Sequence, residues 1–237
     1  MICVCLPTYN ERENLERMVD ALQDVLGDED AVLVIDDNSP DGTGEIADRL
    51  AGERRNVHVL HRPRKDGLGP AYLDGFRRAL ELGADLIFEM DCDFSHNPAD
   101  VRRLVVVAEN ADLVIGSRYV EGGGTRNWGA LRRFISHGGS LYAQLLLGVG
   151  VRDLTGGFKC YRRVVLETID LDAIHSKGYA FQIETTYRAL RRGFRVVEVP
   201  IVFVDRQVGG SKMSKAIVLE AVWKVPAMRL ATLRARA

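Results

Sequence analysis

Residues 88 to 98 read FEMDCDFSHNP. A mainly apolar run ends in two aspartates, Asp91 and Asp93, one residue apart. Side chains on a strand alternate between faces, so both carboxylates would point the same way, about 6.5 Å apart along the backbone. Like charges that close are costly unless water or a cation lies between them. The apolar residues just before Asp91 place the pair at the edge of a core rather than at a loop tip.

The flanking segments repeat one pattern, an apolar run followed by an amphipathic helix. ICVCLPT, AVLVIDD, VHVL, DLIFEMD and DLVIGSR read as strands. Helices are expected over 11–26, with Leu15, Met18, Val19, Leu22 and Leu26 on one stripe, over 43–50, and through GLGPAYLDGFRRALELG, ended by Gly83. This alternation predicts an α/β fold, a mostly parallel sheet covered by helices on both faces. Ligands of such sheets bind at the carboxyl ends of the strands. Three polar groups fall there: Thr8 to Glu11, Asp36 with Asp37, and Asp91 with Asp93.

The second half is less regular. LRRFISHGGSLYAQLLLG reads as a helix against the sheet, AFQIETTYRALRRG as another, and FRVVEVPIVFV as one long strand. From about residue 214 an amphipathic helix is expected, interrupted by Pro226. Without repeats or a linker, the expected division is one domain over 1–213 and a C-terminal extension over 214–237.

The 237 residues are 46% hydrophobic and 27% charged, and a net charge of −1 argues against a nucleic-acid binder. Cys3, Cys5, Cys92 and Cys160 lack zinc-site spacing and read as reduced core residues. No apolar run is long enough to span a membrane, and the first residues enter a strand at once, so no signal peptide is expected. The tail is basic: Arg206, Lys212, Lys215, Lys224, Arg229, Arg234 and Arg236 stand against Glu220. Such a stretch either packs on the core with its charges in water or lies on an anionic membrane surface.

Hard carboxylates at a core edge suit Mg²⁺ or Mn²⁺ held with substrate phosphates. No second His or Cys stands at ligand spacing from His96, which reads as a turn residue. A dinucleotide site is disfavoured: PTYNERE, after the first strand, has no glycine to admit a pyrophosphate, GLGPAY lacks the third glycine, and no GxxxxGK[ST] loop occurs.

LPTYNERENL, VIDDNSPDGT, GLGPAYLDGF, MDCDFSHNP, GSRYVEGGG, DLTGGFKCY, KGYAFQIE and VPIVFVDRQVGGSK follow one another over residues 6 to 212. In these the chain resembles the dolichol-phosphate (polyprenol-phosphate) mannose synthases of the inverting GT-A glycosyltransferase family 2. The first and fourth motifs are shared across that family; DDNSPDGT paired with FVDRQVGGSK is more specific to the polyprenol-phosphate branch. The resemblance implies a Rossmann-like GT-A fold and transfer of mannose from GDP-mannose to dolichyl or polyprenyl phosphate. Pro7, Tyr9, Glu11, Ile35 and Asp37 would hold the donor nucleoside. Asp91, Cys92 and Asp93 would line its diphosphate, with Asp93 and Ser95 on Mg²⁺ or Mn²⁺. Arg118 would approach the sugar or acceptor phosphate, and Arg206 and Lys212 would close over the phosphates on a loop hinged at Gly209 and Gly210. The chain departs from the pattern at Ser95, where some members have Gln, and at Cys92, where many have Ala.

The implied setting is the cytoplasmic face of a membrane, peripherally bound, with or without a membrane-anchoring partner subunit. Two other readings stay open: a family-2 transferase using another nucleotide sugar, such as UDP-glucose, and a non-catalytic nucleotide-sugar binding subunit.

Overall fold

The structure, a computed structural model, describes residues 1–205 and 215–234. Its main sheet has seven strands, β1 (Ile2–Thr8), β2 (Ala31–Asp36), β3 (Val57–His61), β4 (Leu86–Glu89), β5 (Leu113–Ser117), β7 (Lys159–Arg162) and β8 (Val196–Pro200). They lie in the order β3-β2-β1-β4-β7-β5-β8, with β7 alone antiparallel to its neighbours. Five helices close the sheet: α1 (Leu15–Gln23), α2 (Thr43–Glu53) and α4 (Asp100–Ala108) on one face, α3 (Leu68–Glu81) and α7 (Gly178–Arg191) on the other.

Strand alternation builds both cores. Cys3, Cys5, Leu33, Ile35 and Ile87 turn toward α3 and α7, while Val4, Leu6, Val32, Val34 and Phe88 turn toward α1, α2 and α4. All ten side chains are excluded from solvent, which is why these strands carry unbroken apolar runs. The order in which strands are added reverses between β1, from which the chain continues outward to β2 and β3, and the parallel β4, which starts the other half. A crevice opens outside the carboxyl ends of the strands at such a switch point.

Three expectations need correction. The helix expected over 11–26 begins only at Leu15, because residues 11–14 form a turn in which the Asn14 N–H donates to the Glu11 carbonyl at 2.9 Å. The long final strand is two. β8 pairs with β5 as far as Pro200, which has no N–H to extend the ladder, and β9 (Val202–Val204) leaves the sheet to pair with β6 (Gly124–Arg126). The tail helix, α8 (Lys215–Arg234), runs through Pro226 without a break and packs on α7 and on α5 (Ala130–Leu147). A last short helix, α6 (Arg163–Thr168), follows β7.

Candidate active site

Asp91 and Asp93 lie beyond the last residue of β4, so a turn rather than strand alternation aims them. In that turn Asp93 Oδ1 accepts the Ser95 N–H at 3.0 Å, and Phe94 takes a left-handed φ of 59°. Asn10 after β1 and Asn38 after β2 are left-handed too, at 57° and 58°. Strained backbone thus gathers in the loops at three neighbouring strand ends, where it is held by surrounding structure.

These loops enclose a cavity of about 490 Å³, ample for a small-molecule ligand. Pro7, Tyr9, Glu11, Asp37, Asp91, Cys92, Asp93, Ser95 and Arg118 all line it. Motifs as far apart in sequence as Pro7 and Arg118 therefore line one cavity. Ile35 does not line it; its side chain is fully buried in the core against Gly75 of α3. Arg206 and Lys212, with the hinge expected between them, lie outside the described residues.

Local bonds fix the side chains at the end of the cavity near β1 and β2. The Glu11 N–H donates to Thr43 Oγ1 at 3.0 Å, and Asn14 Nδ2 donates to Glu11 Oε2 at 2.9 Å. Asp36 is consumed in structure, accepting from Thr8 Oγ1 at 3.2 Å and Ser39 Oγ at 2.6 Å. Asp37 faces the cavity and is paired with Arg62, whose Nε donates to Asp74 at 2.8 Å. Burial raises the Asp37 carboxyl above its usual range, with Arg62 pulling the other way. Lys65 Nζ sits 3.9 Å from the centre of the Tyr9 ring, a cation over an aromatic face on the cavity wall.

At the opposite end Arg118 is buried and committed to Asp153. Its Nε and Nη2 donate to the carboxylate at 2.7 and 2.6 Å, and Nη2 also reaches Thr155 Oγ1 at 2.9 Å. Burial works to discharge Arg118, but the Asp153 charge outweighs it and raises its pKa. A cation already neutralised in this way organises the wall more than it offers free charge. Arg132 was not singled out from sequence, yet it lines the cavity, lies 4.3 Å over the Trp128 ring and pairs with Asp205 at 2.7 Å. Trp128, Lys177, Tyr179, Gln182 and Phe203 complete this wall. Trp128 and Lys177 come from loops, Tyr179 and Gln182 from the first turns of α7, and Phe203 from β9.

His96 lies in the bend after β4, in keeping with its reading as a turn residue, and also lines the cavity. It is buried, stacked on Phe158 at 5.1 Å and edge-on to Phe203 at 5.2 Å, and its Nδ1 accepts the Asp91 N–H at 3.4 Å. Burial pulls its pKa down to about 4, so the ring is neutral near pH 7. Just beyond, the Val204 N–H donates to the Ser95 carbonyl at 3.1 Å, tying β9 to the aspartate turn.

Asp91, Asp93 and Ser95 offer only oxygen donors, the chemistry Mg²⁺ and Mn²⁺ prefer. Among the described residues no group of three or more carboxylate, His or Cys ligands gathers. The residues thus fit a cation that completes its shell with substrate oxygens better than one caged by protein alone.

The sequence matches the pattern of glycosyl transferase family 2 over residues 3–170. It is 52% identical, over 99% of this chain and 98% of the other, to an undecaprenyl-phosphate mannosyltransferase of Micrococcus luteus. It is 51% identical, over 94% and 84%, to a polyprenol monophosphomannose synthase of Mycolicibacterium smegmatis. Among solved structures, glucosyl-3-phosphoglycerate synthase from Mycobacterium tuberculosis in complex with Mn²⁺, UDP-glucose and phosphoglyceric acid superposes with a TM-score of 0.72 at 18% identity, covering 96% of this chain and 79% of that one. At that identity the likeness speaks for the fold, in agreement with the predicted GT-A architecture.

Proposed function

Because the chain belongs to glycosyl transferase family 2, we propose that it transfers mannose from GDP-mannose, with inversion, to the phosphate of a polyprenyl phosphate. The observation that carries this reading is the meeting of Asp37, Asp91 and Asp93 with Arg118 and Arg132 on one cavity, in a chain so similar to mannosyltransferases acting on such lipids.

The chemistry asks little proton transfer of the protein. The second pKa of a phosphate monoester is near 6, so the acceptor is already mostly a dianion at neutral pH. One of its oxygens attacks the anomeric carbon while the bond from that carbon to the diphosphate breaks. The electron pair leaves with the nucleoside diphosphate, and the product is a mannosyl phosphodiester of the lipid. No proton moves. What the site must supply is orientation and charge compensation between two anions.

Tyr9, Glu11, Asp37 and Lys65 would hold the nucleoside. Asp91, Asp93 and Ser95 would hold Mg²⁺ or Mn²⁺ against the donor diphosphate, where such an ion offsets charge developing on the leaving group. Arg132, at the far wall, would receive the acceptor phosphate, with Arg118 fixing that wall. Arg206 and Lys212 come after β9 in sequence and would add further cations. No described helix is long and apolar enough to cross a membrane, and we place the protein peripherally at the cytoplasmic face of one, with or without an anchoring subunit.

The test is a panel of radiolabelled nucleotide sugars, each offered with a short polyprenyl phosphate and Mg²⁺. Label should enter the lipid fraction from GDP-mannose. Incorporation from UDP-glucose alone would reassign the donor, and incorporation from none would leave a binding subunit.

A further inference from the structure

Buried polar side chains normally find a hydrogen-bond partner. Among the described residues, most of the buried side-chain polar atoms that lack one belong to residues lining the cavity: both amide atoms of Gln182, Trp128 Nε1 and Arg132 Nε. Gln182 is the extreme case. It is 2% exposed, and its amide leaves two donor hydrogens and a carbonyl oxygen unused. Burial raises the pKa of nearby Glu89, while Lys159, Tyr161 and Gln182 pull it down. Even so, the Gln182 amide completes no hydrogen bond with that carboxyl. A dry amide of this kind costs stability.

The backbone of Gln182 is nevertheless pinned from beneath. Lys159 of β7 donates from Nζ to the Gln182 carbonyl at 2.8 Å and to Thr185 Oγ1 at 3.2 Å. The Tyr161 hydroxyl lies 3.1 Å from both Glu89 Oε1 and Thr185 Oγ1. β4 and β7 thus fix the first turns of α7, and only the side-chain amide is left for another partner. Its place in the cavity is defined on two sides. On one is Gly157, where a Cβ would stand 3.4 Å from Gln182 Nε2. Gly157 follows Thr155, the partner of Arg118, by two residues. On the other is Glu89, two residues before Asp91. The amide therefore lies between the aspartate turn and the Arg118 wall. A hexose whose diphosphate is held at that turn, and which is attacked from that wall, occupies this interval.

We propose that Gln182 is a specificity-determining residue that reads adjacent hydroxyls of the transferred hexose, its NH₂ donating to one oxygen and its carbonyl accepting from the neighbouring hydroxyl. The location of the sugar rests on the proposed function. An uncharged amide suits the task, because it distinguishes hydroxyl patterns without adding charge to a reaction between anions. A site built around a hydroxyl rejects a sugar that lacks it, since its own polar atoms are then left unpaired.

The test pairs GDP-mannose with analogues lacking one sugar hydroxyl each, using a short polyprenyl phosphate and Mg²⁺. The proteins compared are the unaltered chain and Gln182→Met, which keeps the length of the side chain and removes its polar atoms. The unaltered protein should lose about tenfold or more in kcat/KM on at least one analogue. Gln182→Met should lose about tenfold on GDP-mannose and show no further loss on that same analogue. Affinity for GDP, which carries no sugar, should be the same in both. Because the amide is unsatisfied in the free protein, Gln182→Met should melt no lower than the unaltered chain. Should that variant melt early, Gln182→Ala carries the same comparison. Discrimination among the analogues that survives in a folded variant would overturn the proposal, and so would its absence from the unaltered protein. Transfer only from another nucleotide sugar would indict the donor of the proposed function, and the deoxy analogues of that sugar would then be compared. Transfer from none would indict the proposed function itself; calorimetric binding of the sugar nucleotides against GDP then decides on Gln182.

Discussion

Arg118 and Asp153 form a buried, two-pronged ion pair, with the Arg118 backbone N–H adding a third bond to the same carboxylate at 2.9 Å. It bolts the end of β5 to the turn before β7, beneath the Arg132 end of the cavity. Removing one partner leaves an uncompensated buried charge, so Asp153→Ala should cost about 3–5 kcal/mol in urea unfolding. Arg118→Lys keeps the charge but not the fork, and should lower turnover more than stability. Unfolding midpoints within error of the unaltered protein would show that the pair is not structural.

The aspartate turn separates fold from chemistry at Asp93. Asn in its place keeps an oxygen to accept the Ser95 N–H but loses the charge. Asp93→Asn should therefore fold normally and lose about a hundredfold or more in turnover, measured with Mg²⁺ limiting. Unimpaired turnover there would refute the metal assignment.

Much of this was legible in the sequence for a physical reason. Strands covered on both faces must be apolar throughout, and the polar residues ending β1, β2 and β4 stand out against those runs. Other features have no local signature. β7 wedges antiparallel between β4 and β5, a pairing chosen by distant partners. It carries Lys159 into the core, where Nζ donates to the Gln182 carbonyl at 2.8 Å and burial lowers its pKa to about 8. Trp128, in a loop, and Arg132, in the first turn of α5, reach the cavity through the tertiary fold, not through any local pattern. For α5 the sequence marks a helix, but which of its faces is covered is not a local property.

His96 gives a signed pH dependence. Its folded pKa of about 4, depressed by burial, lies below the ordinary 6.5 of an unfolded histidine. Between those values the unfolded chain binds more protons. The stabilisation is therefore full above pH 6.5 and lost as pH falls through 4. His96→Gln should flatten that part of the stability curve, seen by comparing urea midpoints at about pH 7 and 4.5. An unchanged slope would mean that His96 is not held neutral in the fold.

Gly69 lets the first turn of α3 approach the loop before α7. A Cβ there would stand 2.5 Å from the Ser176 carbonyl oxygen, which is backbone and cannot swing away. Gly69→Ala should destabilise by about 1–3 kcal/mol through overpacking and weaken donor binding by moving the wall that carries Gly67 and Lys177. Thermal melts and nucleotide titration check both effects; a variant matching the unaltered protein in each would show that the wall is free to shift.

Direct displacement at the anomeric carbon by a lipid phosphate dianion has one decisive signature. Incubate the protein with GDP-mannose, a short polyprenyl phosphate and Mg²⁺, and read the anomeric configuration of the extracted lipid product by NMR. Donor mannose is α-linked, so a single β-mannosyl phosphodiester is expected, formed at a rate that rises with pH through about 6 and then levels. An α-linked product, or free mannose without lipid product, would contradict it.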